Sequence, residues 1–352
     1  MTTHPPVAVV VLTHNDYATR YLADCMAGLA AQTYPAERMR LFIVANGVSE
    51  REAQLIRRLA PEARLLRNAD NLGWGGGNNT AIRVALAESF PYLALLNIDT
   101  IVDRDWLVRL MEAAEASSEV QIFQSKILLD GTGRVNSLGN RIQFLGYGYC
   151  NGYGQEDAST LPAFPMDYAS GAAMLVRRDV FERIGLFLED YLIYYDDTEF
   201  CWRARLAGFN VGLAPASVCR HKYEFTGRLP MLYQLQRNRL LTLLTLPRLG
   251  SLLLIAPCLI VSEVLLAGYF VVRGWGGTVW RLLKEFSRWR TWSAIADRRR
   301  VVQPMRIRSD AEILGRFAAR VVFAEVDSPA MRYLLNPLLG AYWAIVRRLI
   351  RW

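Results

Sequence analysis

Residues 7–15, VAVVVLTHN, indicate the fold class of this chain. Six apolar residues in a row are followed at once by Thr13, His14 and Asn15. A short apolar run without alternation is typical of a strand that is buried on both faces. The three polar residues are therefore expected just past the carboxyl end of a central strand.

Three further apolar runs, separated by helical stretches, extend this pattern. The runs are LFIVAN (41–46), RLLRN (64–68) and YLALLN (92–97), and helices are expected at about 17–31, 50–60 and 78–89. Strands that alternate with helices predict an α/β fold with a Rossmann-like, mostly parallel sheet and helices on both faces. Ligands bind such sheets beyond the carboxyl ends of the strands. The polar residues expected on that edge are Thr13, Asn15, Asn46 and Asp99.

The charge is divided unevenly along the 352 residues. The net charge is +8, but residues 1–228 carry 22 basic and 26 acidic residues, whereas residues 229–352 carry 19 basic and 7 acidic ones. A mildly acidic body is thus followed by a basic tail, which predicts contact with an anionic surface. Such a surface is either a membrane or a nucleic acid.

The five cysteines are scattered, odd in number and without a CxxC pair. This pattern is typical of reduced thiols and excludes a disulfide framework or a cysteine zinc site. The amino-terminal residues lack the basic and apolar regions of a signal peptide, so the body of the chain is expected to stay in the cytoplasm.

The tail contains two stretches with membrane character. Residues 252–272 are apolar apart from Glu263 and would reach about 31 Å as a helix, although Pro257 and Glu263 weaken a spanning interpretation. Residues 333–352 place Trp and Arg around a short apolar segment, as an interfacial helix does. The alternative is a basic helical hairpin that packs on the body or on a second subunit. The Trp and Leu content favours lipid over nucleic acid as the partner.

A glycine-rich segment, NADNLGWGGGNNTAI, occupies residues 68–82. Its glycines permit close backbone approach, and the amino terminus of the following helix is suited to an anion. It is neither a Walker loop nor a clean GxGxxG motif. The alternative is a flexible turn before a helix.

Carboxylates and a histidine occur at three further strand or helix ends. LLNIDT (95–100) places Asp99 after a buried strand, where it can hold a divalent cation or simply begin a turn. YYDDTEF (194–200) contains Asp196 and Asp197, which can cap a helix or accept a proton from a hydroxyl. His221 follows a strand and is either structural or a metal ligand.

Taken in order, these segments resemble glycosyltransferase family 2, the inverting enzymes of GT-A fold. The resemblance is narrower to the rhamnosyltransferase-like branch of bacterial polysaccharide glycosyltransferases. It is carried by VVVLTHN, NLGWGGGNN, LLNIDT, SGAAMLVRRDVFERIGLF and YYDDTEFCWRARLAGF, followed by His221. QRNRLLTLL at 236–244 also resembles a segment that follows in this branch. The resemblance implies a GT-A catalytic domain over 1–228 and leaves 229–352 as a C-terminal helical membrane-associating region.

The resemblance also implies residue roles. Asp197 would be the general base, and Asp99 with His221 would hold Mg²⁺ or Mn²⁺ on the donor diphosphate. The residues expected around the nucleotide are Thr13, Asn15, Asn46, Asn71, Gly73, Asn78, Asn97 and Asp99. The donor would be dTDP-rhamnose or a UDP-sugar, and the acceptor a lipid-linked or growing glycan at the cytoplasmic face of the inner or plasma membrane. No nucleic-acid partner is expected.

The chain departs from the family pattern at three positions. Ala45 stands where the family has an Asp that commonly reads the pyrimidine base. Leu188 replaces an Asp in the Phe-Asp-Glu segment, and Asp196 replaces a Glu. Two other functions therefore stay open: a non-catalytic membrane-bound nucleotide or glycan binding protein, and a nucleotidyltransferase.

Overall fold

A computed structural model describes residues 4–157, 165–223, 229–322 and 328–352. The chain forms two compact units. The first contains Met1–Asn140, Cys150–Ala204 and Phe209–Glu224, and the second contains Arg141–Tyr149, Arg205–Gly208 and Phe225–Trp352. The predicted domain boundary at 228/229 falls beside residues 224–228, outside the described residues, and stays a prediction. The second unit also takes in 141–149 and 205–208, which the sequence pattern did not indicate.

Eleven strands are present in the described residues. They are β1 (Val7–His14), β2 (Met39–Asn46), β3 (Arg64–Asn68), β4 (Tyr92–Asn97), β5 (Thr100–Val102), β6 (Ile122–Leu129), β7 (Arg134–Ser137), β8 (Asn140–Ile142), β9 (Gly148–Cys150), β10 (Ala173–Arg177) and β11 (Val211–His221). Nine of them form one sheet in the order β3-β2-β1-β4-β10-β6-β11-β5, with β7 on β6, while β8 pairs with β9. The prediction of an α/β fold with a mostly parallel sheet is confirmed for β3-β2-β1-β4, and β10 runs antiparallel to both its neighbours.

Twelve α-helices are present in the same residues. They are α1 (Tyr17–Ala30), α2 (Glu50–Leu59), α3 (Gly73–Ala87), α4 (Trp106–Ala116), α5 (Arg178–Ile184), α6 (Asp196–Leu206), α7 (Leu229–Thr245), α8 (Leu249–Val272), α9 (Gly276–Phe286), α10 (Trp289–Met305), α11 (Asp310–Leu314) and α12 (Asn336–Leu349). Helix α3 begins at Gly73 and not near residue 78, because the glycines form its first turns.

The core of the first unit explains why β1 lies at its centre. Residues 7–11 are fully buried, and β1 pairs in parallel with β2 on one side and β4 on the other. Val7, Val9 and Val11 pack into the apolar core that helices α1 and α4 also line. The carboxyl ends of β1, β2 and β4 consequently meet at one edge of the sheet, since Leu12 pairs with both Val44 and Asn97.

The second unit is helical around a small aromatic core. The rings of Phe144 and Trp343 stack with centroids 4.7 Å apart, and Trp343 Nε1 donates to the carbonyl of Phe317. Among the described residues, α8 is the one helix with the length and apolar composition needed to cross a membrane. That test rests on length and composition alone and is weak support for a membrane span.

Candidate active site

Asn46, at the end of β2, holds the glycine-rich segment in place. Its Nδ2 donates to Asn71 Oδ1 at 2.9 Å and to the Gly73 carbonyl at 3.0 Å. Its Oδ1 accepts from Asn68 Nδ2 at 3.0 Å and from the Leu72 N–H at 3.1 Å. The buried side chain therefore uses both donors and both acceptor sites on this turn. This gives Asn46 a positioning role, and direct contact with a nucleotide stays a prediction.

The start of α3 is pressed against the segment that precedes the acidic pair. Gly73 has φ +76°, and a Cβ there would lie 2.3 Å from the Leu192 carbonyl oxygen. The Trp74 N–H donates to that same oxygen at 2.6 Å. A Cβ on Gly75 would lie 2.6 Å from Asp196 Oδ1. Only glycine fits at these two positions, so the glycine-rich segment is a packing surface for the acidic pair.

Trp74 is a site residue that the sequence interpretation missed. Its Nε1 donates to Asn97 Oδ1 at 2.9 Å, and its ring packs edge-on against Phe187 with centroids 5.0 Å apart. A Cβ on Gly171 would lie 2.4 Å from this ring. Asn78 Nδ2 donates to the Trp74 carbonyl at 2.9 Å, which fixes the first helical turn. The signal available in the sequence was a single Trp among the glycines of residues 73–77.

Asp197 is held by three hydrogen-bond donors. The Gly171 N–H donates to Oδ2 at 3.0 Å, and the Thr198 N–H and Oγ1 donate to Oδ1 at 2.7 and 3.2 Å. Burial raises the pKa of Asp197, and these donors oppose the shift. The residue as a whole is partly exposed. A fixed carboxylate with a raised pKa is suited to accept a proton.

Asp196 differs sharply from its neighbour. It is 3% exposed, and its Oδ1 has no hydrogen-bond partner among the described residues. Burial, and then the charge of Asp197, raise the pKa of Asp196 well above its usual range. Two adjacent carboxylates do not ionise equally in such a site. The pKa of Asp196 is thus raised further than that of Asp197, so Asp197 is the member of the pair better suited to carry the negative charge.

The backbone before the pair is strained. Leu192, Tyr194 and Tyr195 have φ of +61°, +65° and +68°. Non-glycine residues rarely adopt a positive φ, which costs roughly 1–3 kcal/mol at each position. Strain of this kind concentrates at functional sites.

A buried ion pair anchors helix α6 in the residues that follow the acidic pair. Arg203 Nε and Nη2 donate to Glu199 Oε1 and Oε2 at 2.8 and 2.9 Å, and both side chains are almost fully buried. The same guanidinium donates to the carbonyls of Ile184 and Leu186. The first turn of α6 is thereby tied to the loop after α5.

Asp99 and His221 form a second cluster on the sheet edge. His221 Nε2 lies 3.3 Å from Asp99 Oδ1, and His221 Nδ1 lies 3.0 Å from Asn136 Oδ1. In the tautomer whose Nδ1–H donates to Asn136 Oδ1, the Nε2 lone pair faces the carboxylate. Imidazole nitrogen and carboxylate oxygen both suit a divalent cation such as Mn²⁺. No group of three or more His, Cys, Asp or Glu side chains with metal-binding geometry occurs in the described ranges. Two protein ligands fit a metal whose remaining ligands come from a substrate diphosphate and water.

The end of β1 contributes an unsatisfied hydroxyl. Thr13 is fully buried, and its Oγ1 has no hydrogen-bond partner in the part of the chain that the structure describes. Its cross-strand neighbour is Ala45, which is also buried. Asn15 is exposed with φ +47°. His14 was not predicted to be a site residue; burial lowers its pKa, and the nearby carboxylate of Asp99 opposes that shift.

These contacts link most of the predicted residues, directly or through neighbours. The acidic pair, the glycine-rich segment and Asn97 are connected through Trp74, Gly171 and Leu192, and the Asn97 N–H donates to the Ala172 carbonyl at 3.0 Å. Asp99 and His221 are in contact with each other. The roles assigned to all of these residues remain predictions.

Comparison with known families gives one extensive match. Residues 4–240 match the family described as glycosyltransferase like family 2. A low-salt glycan biosynthesis hexosyltransferase of Haloferax volcanii is 30% identical over 155 residues, which is 40% of this chain and 46% of that protein. An N-acetylglucosaminyl-diphospho-decaprenol L-rhamnosyltransferase of Mycobacterium tuberculosis is 39% identical over 67 residues, 19% of this chain and 22% of that protein. The matched stretch is less than half the length of either relative.

Solved structures support the fold. The structure of GalNAc-T7 with UDP, GalNAc and Mn²⁺ superposes with a TM-score of 0.56 at 13% identity, covering 70% of this chain and 49% of that one. The mannosyltransferase PcManGT of Pyrobaculum calidifontis, in complex with GDP-Man and Mn²⁺, superposes with a TM-score of 0.51 at 15% identity. The match covers 86% of this chain and 87% of that one. At these identities the likeness shows the GT-A fold alone.

Proposed function

The chain belongs to glycosyltransferase like family 2, and on that premise we propose that it transfers a sugar, with inversion, from a nucleoside diphosphate donor to a glycan hydroxyl. The observation that carries the proposal is the asymmetric acidic pair. Asp197 is fixed by three donors and its pKa is raised less than that of Asp196, which is buried and has an oxygen without a partner among the described residues.

The proposed reaction is a single in-line displacement. Asp197 accepts the proton of the acceptor hydroxyl as the hydroxyl oxygen bonds to the anomeric carbon. The bond from that carbon to the diphosphate oxygen breaks, and the nucleoside diphosphate leaves with the electron pair. One displacement inverts the anomeric configuration. General-base help of this kind is worth about 10²–10⁴-fold in rate.

The proposal includes a divalent metal, Mg²⁺ or Mn²⁺, held by Asp99 and His221. When bound, such an ion neutralises charge on the leaving diphosphate. Asn136 would fix the His221 ring through Nδ1. The Mn²⁺ in the two solved structures is in line with this part of the proposal.

The donor is proposed to be dTDP-rhamnose, with UDP-sugars next. The name of the mycobacterial relative, an L-rhamnosyltransferase, favours rhamnose. Because Ala45 offers no carboxylate to a nucleobase, the unsatisfied Thr13 hydroxyl beside it is the buried group left for a polar contact there.

The acceptor is proposed to be a lipid-linked or growing glycan at the cytoplasmic face of the membrane. The same relative is named for a decaprenol-linked substrate. The basic, apolar residues 229–352 are proposed to contact the membrane surface. Sugar transfer to a lipid-linked acceptor would then depend on residues 229–352 more strongly than transfer to a soluble acceptor.

The test is donor binding followed by turnover. Purified full-length protein is screened against nucleotide sugars by thermal shift, with and without Mn²⁺, with Asp99→Asn as control. A metal-dependent shift for one donor, lost in the variant, supports the proposal, and NMR of the product then reports the anomeric configuration. Absence of a shift for every donor in folded protein would overturn the transferase proposal and favour a binding protein that has lost its donor site. A product with retained configuration would overturn the single displacement.

A further inference from the structure

Helix α8 presents an apolar face to solvent along its whole length. Exposed residues recur every three to four positions, as on one side of a helix. Six of them are Leu253, Ile260, Val261, Val264, Leu265 and Val272, each at least 55% exposed. An exposed apolar stripe that covers about 36 Å is a site of interaction with a partner or a membrane.

The opposite face of α8 is fixed to its own unit at both ends. Near the start, Ser251 Oγ donates to Asp310 Oδ2 at 2.5 Å and accepts from Trp352 Nε1 at 2.9 Å. One turn later, Tyr342 Oη donates to the Leu254 carbonyl at 2.5 Å. Near the end, Phe270 is buried against Trp275 with ring centroids 5.6 Å apart. The helix is therefore held to protein near its two ends, where its buried residues Ser251, Ile255 and Phe270 lie.

The single acidic residue of α8 lies on this seated face. Glu263 Oε1 accepts from Arg239 Nη2 at 2.6 Å, and the Arg239 side chain is fully buried. Arg239 also donates to Gln236 Oε1 and to the Leu145 carbonyl, both at 2.8 Å, and its guanidinium lies 4.3 Å from the Tyr147 ring centroid. Glu263 is thus part of a polar network that joins α8 to α7 and to residues 145–147.

A membrane-spanning α8 would carry this network into the hydrocarbon. Glu263 lies roughly 14 Å from the carboxyl end of the helix, near mid-bilayer depth for a spanning segment. Charged side chains at that depth are costly. An α8 that lies along the membrane surface avoids this, because only its exposed apolar face meets acyl chains.

We propose that α8 is a monotopic anchor that lies parallel to an anionic lipid surface without crossing it. This deepens the membrane contact of the proposed function and rests on it. The charge of residues 229–352, 19 basic against 7 acidic, favours anionic lipid over a neutral surface or a second copy of this chain. Exposed Trp280 and Trp289, beside exposed Arg281 and Arg288, supply the aromatic and basic groups suited to the headgroup region.

Topology is tested by labelling both ends of α8. A new cysteine is introduced by Leu249→Cys or Gly277→Cys in full-length protein that also carries Cys150→Ser and Cys258→Ala, so that Cys25, Cys201 and Cys219, all buried, are the remaining native thiols. Membrane vesicles with the cytoplasmic face outward are treated with a membrane-impermeant maleimide. Labelling of both positions without detergent supports the monotopic anchor. Labelling of one end only, with the other labelled in vesicles of opposite orientation, would overturn it.

Lipid dependence is tested by flotation with vesicles of phosphatidylcholine alone or with phosphatidylglycerol. The wild type should float at least tenfold more with phosphatidylglycerol, and Leu253→Glu/Val264→Glu should lose flotation. Tyr153→Glu, an exposed apolar position in the other unit, is the matched control and should float normally. The proposal would be overturned if the double variant floated as well as the wild type. It would also be overturned if the wild type did not bind vesicles but formed dimers that the two substitutions abolish.

These readouts do not depend on turnover. The double variant should transfer sugar to a soluble acceptor at the wild-type rate. A wild type that floats normally but has no transferase activity would refute the proposed function and leave the lipid-binding mode of α8 standing.

Discussion

Helices α6 and α8 both carry carboxylates whose roles are ambiguous from the sequence alone. The two helices differ in the groups that lie against those carboxylates. Glu263 on α8 faces the buried cation of Arg239, and Glu199 on α6 faces Arg203. Asp197, two residues before Glu199, accepts from neutral N–H and O–H donors among the described residues. A carboxylate paired with a buried cation is suited to a structural role, whereas one held by neutral donors is suited to exchange a proton.

The comparison also separates the two aspartates of α6. Asp197 has three donors, and Asp196 has an oxygen without a partner in the described part of the chain. Adjacent residues on one helical turn therefore serve different purposes. The number of donors around each carboxylate, and not its place in the sequence, distinguishes them.

The largest effect is expected from Asp197→Asn. The amide cannot accept the acceptor proton, so turnover should fall about 10²–10⁴-fold while donor affinity stays the same. Sugar transfer and donor binding by calorimetry measure the two quantities. Asp190→Asn, an exposed carboxylate seven residues earlier, is the control and should keep wild-type turnover. A turnover for Asp197→Asn within a few fold of the wild type would contradict the base assignment.

Removing either buried cation should mainly affect stability. Arg203→Met and Arg239→Met each leave a glutamate without its counter-charge, and the free energy of unfolding should fall by about 3–5 kcal/mol. Urea unfolding followed by far-UV circular dichroism measures the loss. The paired variants Glu199→Leu/Arg203→Met and Glu263→Leu/Arg239→Met should recover much of it. A paired variant no more stable than its single variant would show that the loss is not due to an uncompensated charge.

A smaller loss is expected from Gly171→Ala. The new Cβ would lie 2.4 Å from the Trp74 ring, on the residue whose N–H donates to Asp197. Overpacking of this kind costs about 1–3 kcal/mol, measured as a lower free energy of unfolding. Gly268→Ala, where no atom lies within 4 Å, is the matched control and should be neutral or slightly stabilising. Equal stability of the two variants would mean that Trp74 moves away freely.

The smallest effect concerns the pH dependence of stability in Asp196→Asn. The pKa of Asp196 is raised in the folded protein above the value of about 3.9 expected when unfolded. The folded state therefore binds more protons between these values, and the free energy of unfolding falls as the pH rises through that window. Asn does not titrate, so this loss of stability is absent in the variant. The variant should therefore gain stability relative to the wild type from about pH 4 upward.

Urea midpoints of wild type and Asp196→Asn between pH 4 and 8 test this expectation. The other titratable groups near the pair are Cys150 and Tyr168, whose pKa values burial raises, and Glu199, which is paired with Arg203. None of them is removed by the substitution. Parallel pH profiles for the two proteins would contradict a protonated Asp196.

The sequence pattern predicted the parallel half of the sheet because the runs at 7–12, 41–46 and 92–97 are apolar on both faces and separated by helical stretches. It also identified the acidic pair. Residue pattern alone did not rank the two aspartates, although the family resemblance did, because the donors to Asp197 come partly from Gly171, 26 residues away. Such a contact is set by packing and leaves no local signal.

Other features of the structure could not be predicted from the sequence either. The glycines at 73–77 indicated a turn, since glycine is unfavourable in helices, yet tight packing places them in α3. Glu263 counted against a membrane span, but its partner Arg239 lies 24 residues away on α7. Strand β10 is an apolar run like the parallel strands β1 and β4, so its antiparallel direction could not be predicted from its residues.

The left-handed residues before the acidic pair have a consequence for protein engineering. At 192, 194 and 195 the backbone penalty comes from having a Cβ, and it is smallest for Asn and Asp and largest for β-branched side chains. Tyr195 is buried, whereas Leu192 is exposed, so a change of side chain at Leu192 should leave the main-chain path nearly unchanged, with its carbonyl still accepting from the Trp74 N–H. Variants meant to keep this main-chain path should therefore be made at Leu192 and should leave out glycine, which does not hold φ to one sign.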